Sequence, residues 1–341
     1  MKFAVGYQLA EQGDESFVEL VRDYRECISE VYFPWGALAS GRASLTSRRG
    51  CVDWSGQQRM ERDLLALKEM GLRLDLLFNA NCYGQHAVSE YLQNQVMSLV
   101  EYLKDLLGGV QTVTTTSLAV AHVLKQHAPD VEVRASVNMR LGTPTAMSAI
   151  AHLFDGYYVQ RDFNRDIGYL RELRRWADLA GKKLYLLANS GCLRFCPAQT
   201  FHDNMVAHDA QIDEMRNIAG FTPHLCWALF KDPANWVRIL QATWIRPEDL
   251  HHYEGLFDVV KLATRMHSRP RMVLGAYSRR QFGGNLPDLL EPGFSPALAP
   301  NAIANTRFPA DWFERTSTCA GRCHACNYCN DVLAKVLCRA E

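Results

Sequence analysis

The chain has 341 residues, of which 48% are hydrophobic, and this is enough to bury one large core. Its 37 lysine and arginine residues balance its 37 aspartate and glutamate residues, so no strong global field attracts a nucleic-acid backbone. No apolar run approaches the length of a membrane span, and the N-terminus, MKFAVGYQLAEQGDE, lacks the pattern of an export signal. We therefore expect a soluble, cytoplasmic protein that has no membrane partner.

Short β-rich runs alternate with helix-length amphipathic segments along the chain. The runs lie near residues 3, 30, 73, 110, 131, 156, 183, 242 and 257. Eight or nine strands with helical crossovers favour an α/β fold, a (β/α)8 TIM-like barrel, over an open doubly wound sheet. Polar residues follow several runs, and a barrel would bring them together at its C-terminal face. They include Asn79, Asn138, Arg161, Asn189, Arg246, Lys261 and Arg265.

Two segments interrupt this alternation. Residues 190–227 are too long for an ordinary connection, which indicates a functional loop. Residues 287–310, with repeated proline, alanine and asparagine, predict an extended linker. The expected organisation is a barrel over residues 1–286 and, over residues 287–341, a linker followed by a small Cys-rich C-terminal appendage.

The tail carries four closely spaced cysteines at C-x3-C-x2-C-x2-C spacing: Cys319, Cys323, Cys326 and Cys329. A reducing compartment keeps such thiols available as metal ligands. Thiolates suit both zinc and iron-sulfur clusters, so the spacing predicts the ligand type and leaves the metal open. His324 lies inside the motif and could replace one thiolate. The first three cysteines also match the triplet of radical S-adenosylmethionine enzymes, although that triplet usually follows the first barrel strand.

A second group of cysteines follows the run LYLLAN, where Cys192 and Cys196 have C-x3-C spacing and Cys226 lies downstream. A cluster held here would lie at the mouth of the barrel. A non-cysteine ligand, or a cysteine such as Cys51, Cys82 or one from the tail, would complete a four-iron site. Buried core cysteines are the alternative interpretation.

Candidate catalytic groups accompany these cysteines. His202 and His208 each stand beside an aspartate and could transfer protons near a cluster. Arg246 and Arg265, expected at late strand ends, could clamp a carboxylate or a phosphate. Helix capping or surface hydrogen bonding is the alternative for the histidines, and Pro247 indicates that a helix begins after Arg246.

The segments LANSGCLRFCPAQTFHDNMVAHD and WIRPEDLHHYEGLFDVVKLATR resemble the collagenase-like peptidase family U32, and the resemblance spans about residues 1–280. Despite its name, the family includes proteins similar to oxygen-independent hydroxylases and RNA-modifying proteins. Among them are the paired accessory proteins of anaerobic ubiquinone synthesis, which bind a four-iron cluster through four cysteines. The resemblance implies cluster ligation for Cys192, Cys196 and Cys226, and a barrel-end role for residues 246–265.

We therefore expect an iron-sulfur enzyme with one 4Fe-4S cluster or two, acting in oxygen-independent hydroxylation or a related modification of a small molecule or RNA. One alternative is a non-catalytic subunit, in a heterodimer with a paralogue, whose tail holds structural zinc or a cluster. Others are an atypical radical S-adenosylmethionine enzyme and a peptidase. The peptidase alternative rests on the family name, because the sequence contains neither H-E-x-x-H nor G-x-S-x-G.

Overall fold

The barrel is the dominant feature of the computed structural model, which describes residues 1–341 except 12, 37, 39, 42–52, 320 and 341. In the described part of the chain, eight parallel strands pair in chain order, and the last pairs with the first. The strands are β1 (Lys2–Gly6), β2 (Ile28–Phe33), β3 (Arg73–Phe78), β4 (Thr112–Thr115), β5 (Glu132–Ala135), β6 (Gly156–Tyr158), β7 (Lys183–Leu187) and β8 (Val259–Leu262). The predicted (β/α)8 barrel is confirmed.

Helices connect the strands and surround the barrel. They are α1 (Phe17–Asp23), α2 (Trp54–Glu69), α3 (Glu90–Leu107), α4 (Leu118–His127), α5 (Pro144–Ala149), α6 (Ile167–Leu179), α7 (Gln199–Ala207), α8 (Asp209–Ile212), α9 (Leu225–Leu229), α10 (Val237–Leu240), α11 (Pro270–Arg279), α12 (Ser295–Leu298), α13 (Trp312–Ser317) and α14 (Tyr328–Val336). Local sequence sets their ends: Ser89 Oγ accepts the Leu92 N–H at the start of α3, and Gly108, at φ 69°, ends it. No helix of the described residues is long and apolar enough to cross a membrane.

The run near residue 242 is not a strand, although its apolar residues resemble one. Trp244 and Ile245 are buried, but Trp244 packs against Trp312 of the appendage, with ring centroids 5.7 Å apart. The segment then enters a 3₁₀ helix, Pro247–Tyr253, as Pro247 indicated. A short apolar run indicates only that its residues are buried. Here the appendage covers the run, whereas neighbouring strands would cover a strand of the barrel.

Residues 287–310 are packed against the barrel rather than running as a free linker. Leu289 and Phe294 are buried, and Asn189 Nδ2 donates to the Leu289 carbonyl at 2.9 Å. The chain then forms β9 (Asn301–Ile303), which pairs antiparallel with β10 (Leu337–Arg339). The apolar residues between the prolines explain why this segment is anchored.

The barrel interior contains an ion cluster where apolar layers are usual. Arg134 is fully buried, and its guanidinium binds Glu30 through two hydrogen bonds of 2.7 and 3.0 Å. It also donates to Glu132 Oε1 at 2.9 Å. Burial, with the neighbouring charge of Glu30, raises the pKa of Asp75 to about 7. This cluster lies below the barrel mouth.

Candidate metal centre and barrel-mouth cavity

Three cysteines of the long loop lie near one another at the mouth of the barrel. Cys192 and Cys196 follow β7, and α9 carries Cys226. Burial raises the pKa of the Cys226 thiol to about 11, and the neighbouring thiols of Cys192 and Cys196 add to the shift. All three are partly buried and reduced. The loop therefore brings three thiols, a donor type that suits a soft metal, close enough to interact electrostatically.

Arg161, at the end of β6, places a buried positive charge beside these thiols. Its side chain is 3% exposed, and Nη1 donates to Cys192 Sγ at 3.4 Å and to Ser190 Oγ at 3.5 Å. Its Nη2 atom has no hydrogen-bond partner among the described residues. A cluster held by thiolates carries negative charge, and a fixed guanidinium beside a ligand sulfur offsets it. In their chemistry, though not in their present arrangement, these thiols and this cation suit an iron-sulfur cluster.

The four tail cysteines form a second group. Cys319, Cys323 and Cys326 are exposed, whereas Cys329, on α14, is partly buried. Burial raises the pKa of the Cys329 thiol to about 11; Arg165 opposes this shift, and the other three tail thiols add to it. The four tail thiols therefore lie close enough to interact electrostatically.

A cleft of about 250 Å³ separates the two cysteine groups. The loop between Cys192 and Cys196 forms one wall through Leu193 and Arg194, and Cys319, Cys323 and Cys329 line the other. Within the residues that the structure describes, no three histidine, cysteine, aspartate or glutamate side chains are arranged to hold a metal ion. Metal binding at either group would therefore require the thiols to turn towards one another. Cys51, a candidate fourth ligand, lies outside the described residues.

A cavity of about 70 Å³ opens at the centre of the barrel mouth. Its polar lining combines the amides of Asn79 and Asn138, the cations of Arg161, Lys261 and Arg265, and the carboxylate of Glu291. Lys261 is 8% exposed, and its Nζ lies 3.7 Å from the ring centroid of Tyr32. Burial lowers the pKa of Lys261 to about 8. Three cationic side chains against one carboxylate leave the wall with net positive charge, which suits an anionic ligand.

The predicted catalytic residues lie in different places. Arg265 lines the mouth cavity and donates to Ser40 Oγ at 3.1 Å. Arg246 instead lies against the appendage, where Nε donates to Asn305 Oδ1 at 3.0 Å. The ring of His202 faces that of His224 at 5.0 Å. His208 lies near Cys82, another candidate cluster ligand, and its pKa is raised by interaction with that thiol.

Two residues at the site carry more of its chemistry than the sequence indicated. In the sequence, Arg161 is one of many polar residues that follow predicted strands, and no residue near it in the chain links it to Cys192. Asp203 is 4% exposed on α7 and contributes negative charge near Arg161; its Oδ2 has no partner in the described part of the chain. Its signal in the sequence is the F-H-D triplet, where Asp203 directly follows His202.

Comparison with known proteins agrees with this description. No protein-family model matches the chain. A curated relative, an uncharacterized protease of Methanocaldococcus jannaschii, is 24% identical over 274 residues, which cover 79% of this chain and 79% of the relative. The solved structure of the U32 peptidase Mk0906 superposes with a TM-score of 0.53 at 17% identity, covering 76% of this chain and 92% of that one. The structural match shows a shared barrel fold.

Proposed function

We propose that the chain, which is similar to an uncharacterized archaeal protease and shares the fold of the U32 peptidase Mk0906, is an iron-sulfur protein acting in oxygen-independent hydroxylation or a related modification. The substrate class proposed is a small molecule or RNA. The observation that carries the iron-sulfur part is the group of three thiols beside the buried cation of Arg161. The reaction type rests on the resemblance of the loop to anaerobic hydroxylation proteins.

In this proposal Cys192, Cys196 and Cys226 hold the cluster together with one further ligand. Arg161 stabilises the thiolate of Cys192 through its N–H donation at 3.4 Å. A bound cluster supplies an iron site that can accept a ligand and exchange electrons. His202 and Asp203, neighbours on α7, are the candidate proton carriers beside it.

The mouth cavity is proposed to hold an anionic group of the substrate. Arg265 keeps the role predicted for it, and Arg161 and Lys261 take the place of Arg246, which contacts the appendage. Because Arg161 lines this cavity and also contacts Cys192, a bound anion would lie next to the cluster ligands. Fixed donors in a buried site hold an anion with little reorganisation.

The second candidate is a subunit that works in a heterodimer with a paralogue, its tail holding zinc or a second cluster. Large apolar side chains are exposed along the cysteine-bearing loop and α7, which favours a partner surface there: Phe195, Phe201, Met215, Ile218 and Phe221. The rings of Phe201 and Phe221 lie 6.2 Å apart, so part of this surface is continuous.

Paired substitutions test where the metal is held. Cys192→Ser with Cys196→Ser should abolish bound iron and sulfide in anaerobically purified protein. Cys27→Ser, at a partly buried cysteine immediately before β2, should not. The matched tail pair is Cys326→Ser with Cys329→Ser. If the tail pair alone removes the metal, the proposed centre at the barrel mouth is wrong.

A further inference from the structure

The cleft between the two cysteine groups has a positively charged wall that the proposed function does not use. Arg165, Arg194 and Arg238 line this cleft, and none of the described residues that form its walls is an aspartate or a glutamate. Gln241 adds a side-chain amide to the lining. Three cations gathered without a carboxylate give the cleft a positive potential, which an anionic ligand would offset.

The fold holds the guanidinium group of Arg165 in place. This residue lies in the connection between β6 and α6, and its Nη2 donates to the carbonyls of Leu240 at 3.0 Å and Ala242 at 2.6 Å. Its central carbon lies 5.1 Å from the ring centroid of Trp244 and 5.4 Å from that of Trp312. Its Nη1 has no hydrogen-bond partner within the described part of the chain. The guanidinium group therefore keeps unused donors at the edge of the cleft.

Arg194 and Arg238 reach the same cleft from two other segments. Arg194 lies in the loop between the first two cysteines of the barrel mouth, and its Nε donates to the Asp162 carbonyl at 2.8 Å. Arg238, on α10, is exposed and forms no ion pair with a described carboxylate. Guanidinium groups bind the oxygens of phosphate and carboxylate groups through paired N–H donors. The three arginines therefore suit an anion with several acceptor oxygens.

An apolar surface lies beside these cations. Leu193, Phe195 and Pro197 line the same cleft. The side chain of Phe195 is 59% exposed, and its backbone is left-handed, with φ at 50°, which is unfavourable for a residue with a side chain. The Phe195 N–H donates to the Asp162 carboxylate, which holds this conformation. A ligand with an apolar part would gain free energy by covering this ring.

We propose that this cleft binds a small organic phosphate, with the phosphate group held by Arg165, Arg194 and Arg238 and an apolar or aromatic group packed on Phe195. Phosphate suits the site better than a carboxylate because it offers three terminal oxygens to three guanidinium groups. The volume of about 250 Å³ fits a small phosphate ester and lies below the usual range for larger cofactors. None of the three arginines is a proposed metal ligand or lines the mouth cavity, so the inference goes beyond the proposed function.

Isothermal titration calorimetry of the full-length protein, purified without oxygen, tests the proposal with phenyl phosphate as the probe. Phenyl phosphate should bind roughly ten-fold more tightly than inorganic phosphate, because its ring is buried against the apolar surface. Arg238→Gln and Arg194→Gln should each weaken this binding about ten-fold, because each removes charged hydrogen bonds to the phosphate group. The matched control is Arg171→Gln, at an exposed arginine of α6 that does not line the cleft. It should change the dissociation constant less than about two-fold.

Lys261→Met separates this cleft from the mouth cavity, which Lys261 lines, and it should leave the binding of phenyl phosphate unchanged. Equal affinities for phenyl phosphate and inorganic phosphate would leave no role for the apolar surface and would overturn the proposal. Unchanged binding of phenyl phosphate in folded Arg238→Gln and Arg194→Gln proteins would also overturn it. If these two variants instead lose metal bound by the tail cysteines, the arginines balance the charge of the tail thiolates and do not form a phosphate site.

Discussion

Replacing Lys261 with methionine should stabilise the protein while weakening the binding of anions in its mouth cavity. The ammonium group is buried at the end of β8, with the ring of Tyr32 at 3.7 Å and that of Tyr158 at 5.0 Å. Methionine has a similar length and no charge, so it can occupy the same space. The carboxylates of Asp75 and Glu30 attract this buried cation, but burial outweighs their effect on its pKa.

The magnitude follows from the pKa of Lys261, which burial lowers from 10.5 to about 8. Because the folded state binds this proton less tightly than the unfolded chain, the charged lysine destabilises the fold fully below about pH 8. The destabilisation fades as the pH rises from about 8 to about 10.5. This difference of about 2.5 in pKa corresponds to about 3 kcal/mol, so we expect Lys261→Met to raise the free energy of unfolding by roughly 1–3 kcal/mol near pH 7.

Urea unfolding of both proteins near pH 7 and near pH 10 measures this effect. The advantage of Lys261→Met should shrink at the higher pH, and phosphate or acetate should stabilise the native protein more than the variant. Lys104→Met, at an exposed lysine of α3, should change stability by less than about 0.5 kcal/mol. A variant that is less stable near pH 7, or a pH-independent difference, would refute the reasoning.

The remaining predictions concern buried charges. Burial raises the pKa of Asp249 from 3.8 to about 6, so its carboxyl group makes the fold less stable as the pH rises from about 4 to about 6. Asp249→Asn should therefore raise the free energy of unfolding by roughly 1–3 kcal/mol near pH 7 and change it little near pH 4. Urea unfolding at the two pH values measures this difference. Arg134→Met should lower the free energy of unfolding by about 3–5 kcal/mol, because the carboxylate of Glu30 stays buried and unpaired. In a double-mutant cycle, adding Glu30→Gln should recover part of this loss of stability. Full additivity of the two substitutions would contradict the prediction. Arg161→Gln should weaken iron binding about ten-fold or more, measured by chelator competition; unchanged retention would show that the cation does not support the cluster.

The barrel could be predicted from sequence because its strands are local patterns of apolar residues separated by helical periods. The same logic placed Asn79, Asn138, Arg161, Lys261 and Arg265 at the ends of four strands, and the strand ends of one barrel meet at one face. The run near residue 242 was wrongly predicted to be a strand because it is also a local pattern of apolar residues. Its burial arises from Trp312, which lies far along the chain, and no local pattern records such a contact.

The details of the site could not be predicted, because they depend on how long loops cross the barrel mouth. The contact between Arg161 and Cys192 joins residues 31 positions apart, on consecutive strand-to-helix connections. Cys82 and His208 belong to connections after β3 and β7, so the interaction by which each shifts the pKa of the other needs the closed barrel. Arg246 was predicted to face the mouth, but its local chain follows the 3₁₀ helix towards Asn305.

The most direct test of the central claim is the amount of iron, zinc and acid-labile sulfide per chain in protein purified without oxygen, with an absorption spectrum. We expect about four iron and four sulfide ions per chain for one cluster, or about eight of each if the tail holds a second. Zinc without iron or sulfide would contradict the account and make the structural subunit the leading interpretation.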